Sequence, residues 1–238
     1  MFGALRAYRP FFGVMLIVAM LQSCSTIPDT YTAEPIRGKV IDAETKLPLE
    51  GVNVLAYWPT YTGSHEHYEG SIEIKEAVTD AKGEYLIPGW GPKKNPNPGW
   101  LRKRNAPIML FFKPWYGPQN YFNGVEKSLS NPEYVGPHLQ AEMNGRTVEL
   151  TLDTSIDDLA NSFRHVYGEI HRFVSGDQCE WAFLPKAIAA VDVIWSELDK
   201  NRARVAYLTG TLAETLRTHS EFNKHCKINV ETFLEQSK

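Results

Sequence analysis

The spacing of apolar and polar residues changes once along this chain, near Asp153. Before that point apolar positions alternate in short runs. Ile36-Arg37-Gly38-Lys39-Val40-Ile41 puts Ile36, Gly38 and Val40 on one side, and Val52 to Trp58 repeats the alternation, so both predict strands. Thr79-Asp80-Ala81-Lys82-Gly83 is a hairpin signal, with Gly83 free to take a positive φ, and Glu84 to Ile87 continues it as a strand. Ile108 to Phe112 is an unbroken apolar run suited to a central strand, and Val148 to Leu152 alternates again. Beyond Asp153 the spacing becomes helical. Thr154 or Ser155 caps a first helix, with Asp157 and Asp158 in its first turn. Its apolar stripe runs through Ile156, Leu159, Phe163, Val166, Ile170 and Phe173, and Ser175-Gly176 ends it. Pro185 opens a second helix carrying Ile188, Val191, Ile194, Trp195 and Leu198 on one face. Val205, Leu208, Leu212 and Leu216 mark a third, and Asn229 to Gln236 a short fourth. The pattern predicts an α+β chain in two parts: an antiparallel β-sandwich of several short strands, then a C-terminal helical bundle.

The N-terminus changes this picture. Arg6 and Arg9 precede an apolar run from Phe11 to Leu21, broken only by Gly13. That length suits the apolar region of a signal peptide and falls short of the roughly 20 residues that span a bilayer. The run ends in Leu21-Gln22-Ser23-Cys24, which resembles the lipobox of bacterial lipoproteins, with Gln22 a less usual residue there. The resemblance implies cleavage before Cys24, acylation of Cys24 and anchoring in the cell envelope. Ser25 in place of Asp resembles the pattern sent on to the outer membrane. The alternative is an ordinary secretory signal with a chance cysteine. Two or more acyl chains, at ~0.8 kcal/mol per buried CH₂, give stable anchoring where one does not.

Three cysteines are an odd number for an oxidising compartment. With Cys24 assigned to lipid, Cys179 and Cys226 remain to pair as a disulfide, or to stay as two separately buried thiols. There is no CxxC. Composition adds little: 43% hydrophobic, 22% charged and a net charge of −3 suit an ordinary globular chain and do not point to nucleic acid. The expected divisions are a signal peptide over 1–23, a linker over 24–34, the sandwich over 35–153 and the helical part over 154–238.

Ile36, Gly38, Val40, Asp42, Thr45, Pro48, Leu49, Gly51, Val52 and Val54, followed by Thr79, Asp80, Gly83 and Tyr85, resemble the dispersed signature of carboxypeptidase-regulatory-like domains. The resemblance implies a transthyretin-like sandwich of about seven strands. Such domains are commonly non-catalytic appendages, and fold does not fix function. The motifs of enzymatic relatives with this architecture are absent: no Tyr-Arg-Gly-Ser ending, and no evident pairing of two Tyr with two His for iron.

Two insertions interrupt that pattern, approximately Pro59 to Lys75 and Gly89 to Ala106, and individual function is expected there. The first holds His65-Glu66-His67. On an extended segment His65 and His67 face one side and form a weak candidate metal pair, with Glu69, Glu73 or His138 as possible third ligands. A solvated polar loop is the simpler reading, so no metal or other cofactor is expected.

The second insertion lies in a stretch from Tyr85 to Val125 that contains no acid and six basic residues. Trp90, Trp100, Arg102, Lys103 and Arg104 are its candidate ligand-binding residues. Cations meet phosphates or carboxylates, and exposed rings stack on sugars. Trp90 and Trp100, among Gly and Pro, are expected to be exposed, and Trp115 and Tyr116 to be core. His165 and Glu169, four apart on the first helix, are read as surface residues. These features together predict a non-catalytic, membrane-anchored envelope lipoprotein that binds an anionic envelope polymer or another envelope protein. The alternatives are an assembly protein acting through its helical part and, less favoured, a metal-dependent hydrolase using His65 and His67.

Overall fold

The structure, a computed structural model, describes residues 30–62, 67–94, 107–122, 138–176, 178–201, 211–219 and 225–236. Among these residues ten strands precede four α-helices. The strands are β1 (Thr30–Ala33), β2 (Ile36–Asp42), β3 (Asn53–Thr62), β4 (His67–Val78), β5 (Glu84–Ile87), β6 (Trp90–Lys94), β7 (Ile108–Lys113), β8 (Tyr116–Phe122), β9 (His138–Leu139) and β10 (Thr147–Leu150). They form three sheets, ordered β6-β1-β9, β10-β2-β5 and β4-β3-β7-β8. The helices are α1 (Ile156–Ser175), α2 (Pro185–Lys200), α3 (Leu212–Thr218) and α4 (Val230–Gln236), with a 3-10 turn at Glu180–Phe183.

The two central strands of the four-stranded sheet, β3 and β7, are buried on both faces, which is why Val54 to Trp58 and Ile108 to Phe112 read as continuous apolar runs. Alternate residues of β3 and β7 part company. Val54, Ala56, Trp58, Met109 and Phe111 join one core with Ile36, Val40, Tyr85, Ile87, Val148 and Leu150 from the sheet β10-β2-β5. Leu55, Tyr57, Ile108, Leu110 and Phe112 join a second core with Phe163, Ile170, Trp181, Ile188 and Val191 from the helical part. The helices therefore share their core with the sheet and do not close as a separate bundle. Glu76 of β4 fixes the join by accepting hydrogen bonds from the N–H groups of Lys186 and Ala187 (2.9 and 3.0 Å), two free donors in the first turn of α2.

Two expectations need correcting. The strands are not all antiparallel, because β10 runs parallel to β2 and β9 parallel to β1. Parallel neighbours need a long crossover, and the chain between β2 and β10 supplies it. The expected linker also contains β1. Tyr31 and Ala33 alternate inward between two threonines, and Tyr31 is fully buried.

Several residues of the dispersed signature close turns. The Thr79 hydroxyl donates to the Leu49 carbonyl (2.6 Å) and accepts from the Val52 N–H (2.9 Å). One Asp42 carboxylate oxygen accepts from the N–H groups of Glu44 and Thr45 and from the Thr45 hydroxyl. Asp80 does the same for the N–H groups of Lys82 and Glu84, across a hairpin in which Gly83 has φ +72°. The helix ends also follow the sequence. Ser155 caps α1 by accepting from the Asp158 N–H, Pro185 stands in the first turn of α2, and Thr211 with Glu214 forms a capping box on α3. Of the predicted third helix, Leu212 and Leu216 are buried in α3, while Val205 and Leu208 lie outside the described residues.

Candidate functional site

The second insertion begins as β6, whose antiparallel partner is β1. The register sets Thr30 opposite Lys94 and Tyr31 opposite Lys93. The chain leading from Cys24 thus joins the fold at the end where the acid-free stretch leaves it. Trp90 departs from the expectation of exposure. Only 8% of it is accessible, and its ring meets Trp58 edge-on at 5.2 Å. The alternation that makes β6 a strand turns Trp90 inward, and the Gly and Pro after it shape the strand's exposed remainder.

Two cations of the stretch are also engaged. Lys93 pairs with Glu73, which is buried and also has Lys75 at 3.6 Å. Lys113 donates to the Glu50 carbonyl and lies 6.0 Å from the ring centre of Tyr116. Trp115 packs at the margin of the helical core and Tyr116 at the margin of the other, both only partly buried rather than in the core as expected. Lys94 remains exposed with no ion pair among the described residues. Trp100, Arg102, Lys103 and Arg104 lie outside the described residues, as do Cys24 and His65.

His67 is the first residue of β4, opposite Thr62, so the first insertion is largely a long hairpin continuing β3 and β4. Two of the three possible third ligands, Glu73 and His138, are engaged elsewhere. Glu73 holds the two lysines, and the His138 Nδ1 lies 2.8 Å from the Thr32 hydroxyl in another sheet. The metal-compatible group that does assemble among the described residues is Cys179, His225 and Cys226. Its cysteines come together as a disulfide pair, with Cα atoms 5.7 Å apart, and the His225 Nε2 lies 3.5 Å from the Cys179 sulfur. The pairing foreseen from the cysteine count is therefore met, and it occupies both thiols.

A polar cluster that sequence reasoning missed lies between β4 and the helical part. The Tyr68 hydroxyl donates to the Glu180 carboxylate (2.9 Å) and lies 3.0 Å from the Ser71 hydroxyl. Arg172 of α1 pairs with Glu169, donates to the Tyr57 hydroxyl and stacks over the Tyr57 ring at 5.0 Å. Glu169 is thus half-buried in the sheet–helix contact rather than a free surface residue, while His165 is exposed as expected. Burial pushes the Glu180 carboxyl above its ordinary range against the opposing bond from Tyr68, and burial with the nearby Glu180 charge drives the Tyr68 phenol far up. His171 stacks on Tyr167 at 5.3 Å, and burial, aided by His219, lowers its pKa. The partners of this cluster come from segments about a hundred residues apart, so no local motif announces it. Its bonds join the helices to the sheet.

No family model matches the chain, and no curated protein does. Among solved structures, the pilus 2b backbone protein of group B streptococcus is 18% identical, with 51% of this chain and 42% of that one covered and a TM-score of 0.28. The chain thus spans about two fifths of the pilus protein's length. The dioxygenase domain of a dioxygenase–carbohydrate-binding fusion from Streptomyces sp. SirexAA-E is 20% identical over 57% of this chain and 86% of that one, with a TM-score of 0.28. The 3-chlorocatechol 1,2-dioxygenase of Rhodococcus opacus 1CP is 16% identical over 54% and 61%, with a TM-score of 0.27. Likenesses this shallow carry no argument about the activity of this chain.

Proposed function

We propose that this chain is a non-catalytic envelope lipoprotein, held by lipid on Cys24, which binds an anionic envelope polymer at its anchored end. The polymer classes that fit are lipopolysaccharide core and peptidoglycan. In this reading the sheets form an open sandwich of the carboxypeptidase-regulatory-like kind, with the helices covering its second face. The observation that carries the proposal is the register of Thr30 with Lys94. Thr30 is six residues from Cys24. At ~3.3–3.6 Å per residue, the intervening chain reaches about 20 Å at most. Lys94 leads directly into the segment that carries Trp100, Arg102, Lys103 and Arg104. An anchor and a basic, aromatic segment at one end of a molecule favour an anionic surface or polymer as the partner.

The test is co-sedimentation of residues 25–238 with isolated sacculi and with lipopolysaccharide, at low and moderate salt. Saturable, salt-sensitive binding is expected, reduced at least tenfold by combined Trp100, Arg102 and Arg104→Ala substitutions. An intact protein that stays in the supernatant with both polymers contradicts the proposal. Trp90 is left unchanged because its removal would disturb the core.

A second reading, in which the helical part docks a protein partner, draws on Phe183, Val193 and Ile228. These apolar residues of that part are 55%, 52% and 44% exposed. A hydrolase built on His65 and His67 finds no comparable support, since Glu73 and His138, two of its possible third ligands, are engaged elsewhere.

A further inference from the structure

The outward face of the sheet β10-β2-β5 carries a groove of about 460 Å³ at the end where the chain turns into β10. Its lining includes Arg37, Lys39, Arg146, Asp80, Glu84 and Leu86, with Gly38 and Tyr85 between them. Register explains the grouping. Arg37 stands opposite Leu86, Lys39 opposite Glu84, and Thr147 lies on the other side of Lys39. Odd positions of β2 point away from the core, so both of its cations face the groove.

Two observations set this surface apart, and a third lies just behind it. Arg37, Lys39 and Arg146 have no ion pair and no side-chain hydrogen bond among the described residues. Leu86 is 47% exposed between charged neighbours. On the core side of Gly38, the Tyr85 hydroxyl, on a side chain only 4% exposed, has no hydrogen-bond partner among the described residues. An unmet buried hydroxyl costs about 1–3 kcal/mol. Burial pushes the Tyr85 pKa up to about 12, so the group remains a proton donor at neutral pH. Gly38 leaves room for it, because a Cβ there would lie 2.5 Å from that hydroxyl and 2.6 Å from the Arg146 carbonyl.

We propose that this groove binds a short stretch of acidic glycan, with Arg37, Lys39 and Arg146 taking sugar carboxylates or phosphates and Leu86 lying under an apolar sugar face. Asp80 and Glu84 accept ring hydroxyls. Acceptors and donors side by side suit a sugar better than a bare anion, for which two carboxylates would be repulsive. The volume falls within the range of roughly 300–1,000 Å³ usual for small-ligand sites. The ligand class rests on the polymer reading above, but the site does not: its residues belong to β2, β5, the hairpin before β5 and the turn into β10.

The experiment titrates the full-length protein in detergent micelles with tetragalacturonate, glucose 6-phosphate and neutral maltotetraose. It follows the amide NMR signals of Lys39, Leu86 and Thr147. Saturable shifts with tetragalacturonate identify a carboxylate sugar as the ligand, and saturable shifts with glucose 6-phosphate a phosphorylated one. Maltotetraose is expected to bind at least tenfold more weakly than the preferred acidic ligand. Combined Arg37→Ala and Arg146→Ala should weaken acidic-sugar binding at least tenfold. Arg146→Gln alone, at an exposed turn position, should weaken it severalfold with an unchanged melting temperature. Because the shifts are read at Lys39, Leu86 and Thr147, they report this groove alone, whereas sedimentation with sacculi and lipopolysaccharide reports the anchored end, so failure of this site is distinguishable from failure of the anchored-end reading. No shift with either acidic sugar, equal binding of the neutral one, or full binding by both groove variants overturns the proposal.

Discussion

Gly38 and Trp90 show how a single residue type can carry a fold-level constraint. Gly38 faces Tyr85 across β2 and β5, and any side chain there would meet the phenol and a backbone carbonyl together. Gly38→Ala is therefore expected to destabilise by about 1–3 kcal/mol, read from the denaturation midpoint. A midpoint within error of the parent would show that Tyr85 yields freely. Trp90→Ala should cost about 3–5 kcal/mol as a core truncation beside Trp58. An unchanged midpoint would return Trp90 to the exposed role that its Gly and Pro neighbours suggest. At this scale the sequence was partly legible. The turn-closing roles of Thr79, Asp42 and Asp80 follow from residue type and spacing. The inward turn of Trp90 did not, because β6 is recognisable as a strand only through its pairing with β1.

The individual strands and helices follow closely from periodicity, whereas their partners depend on contacts between distant segments. Ile108 to Phe112 reads as a central strand because both faces are covered, yet nothing in that run says that helices cover one of them. The cap of α2 by Glu76 is of this second kind, as the acid is 110 residues from Lys186. Glu76→Ala should cost about 1 kcal/mol, in the range of other helix-cap losses, and should reduce amide protection at the start of α2. Unchanged protection there would exclude a capping role.

The buried acids also give the sheet–helix join a sign in pH. Burial raises the folded pKa of Glu180, and likewise those of Glu76 and Asp192. A carboxyl with a raised folded pKa contributes stability that is fully present below its unfolded value, about 4.3 for Glu, and lost as pH rises through the folded value. Glu180→Gln removes that loss. The melting temperature of the variant minus that of the parent should therefore increase from pH 4 towards pH 7. A difference that is constant or falls over this range would contradict the burial argument.

The whole molecule brings its distant parts into contact as successive layers: two smaller sheets, the four-stranded sheet, then the helices, with the Cys179–Cys226 link closing a separation of 47 residues in the outermost layer. Serine at both cysteines should cost about 2–5 kcal/mol and lower the melting temperature under non-reducing conditions. An identical melting curve would show that the pair is not joined in solution. The division near Asp153 was legible as a change of period. The shared core was not, since an amphipathic helix has the same pattern whatever apolar surface it covers. In the functional proposal, everything depends on what holds Thr30 and Lys94 near an envelope surface. The most direct measurement is incorporation of a clickable fatty acid into the full-length chain expressed in a bacterium, beside its Cys24→Ser variant. Anchoring through Cys24 gives a labelled, membrane-sedimenting protein and no label on the variant. An unlabelled parent, or a variant labelled to the same extent, would contradict anchoring through Cys24.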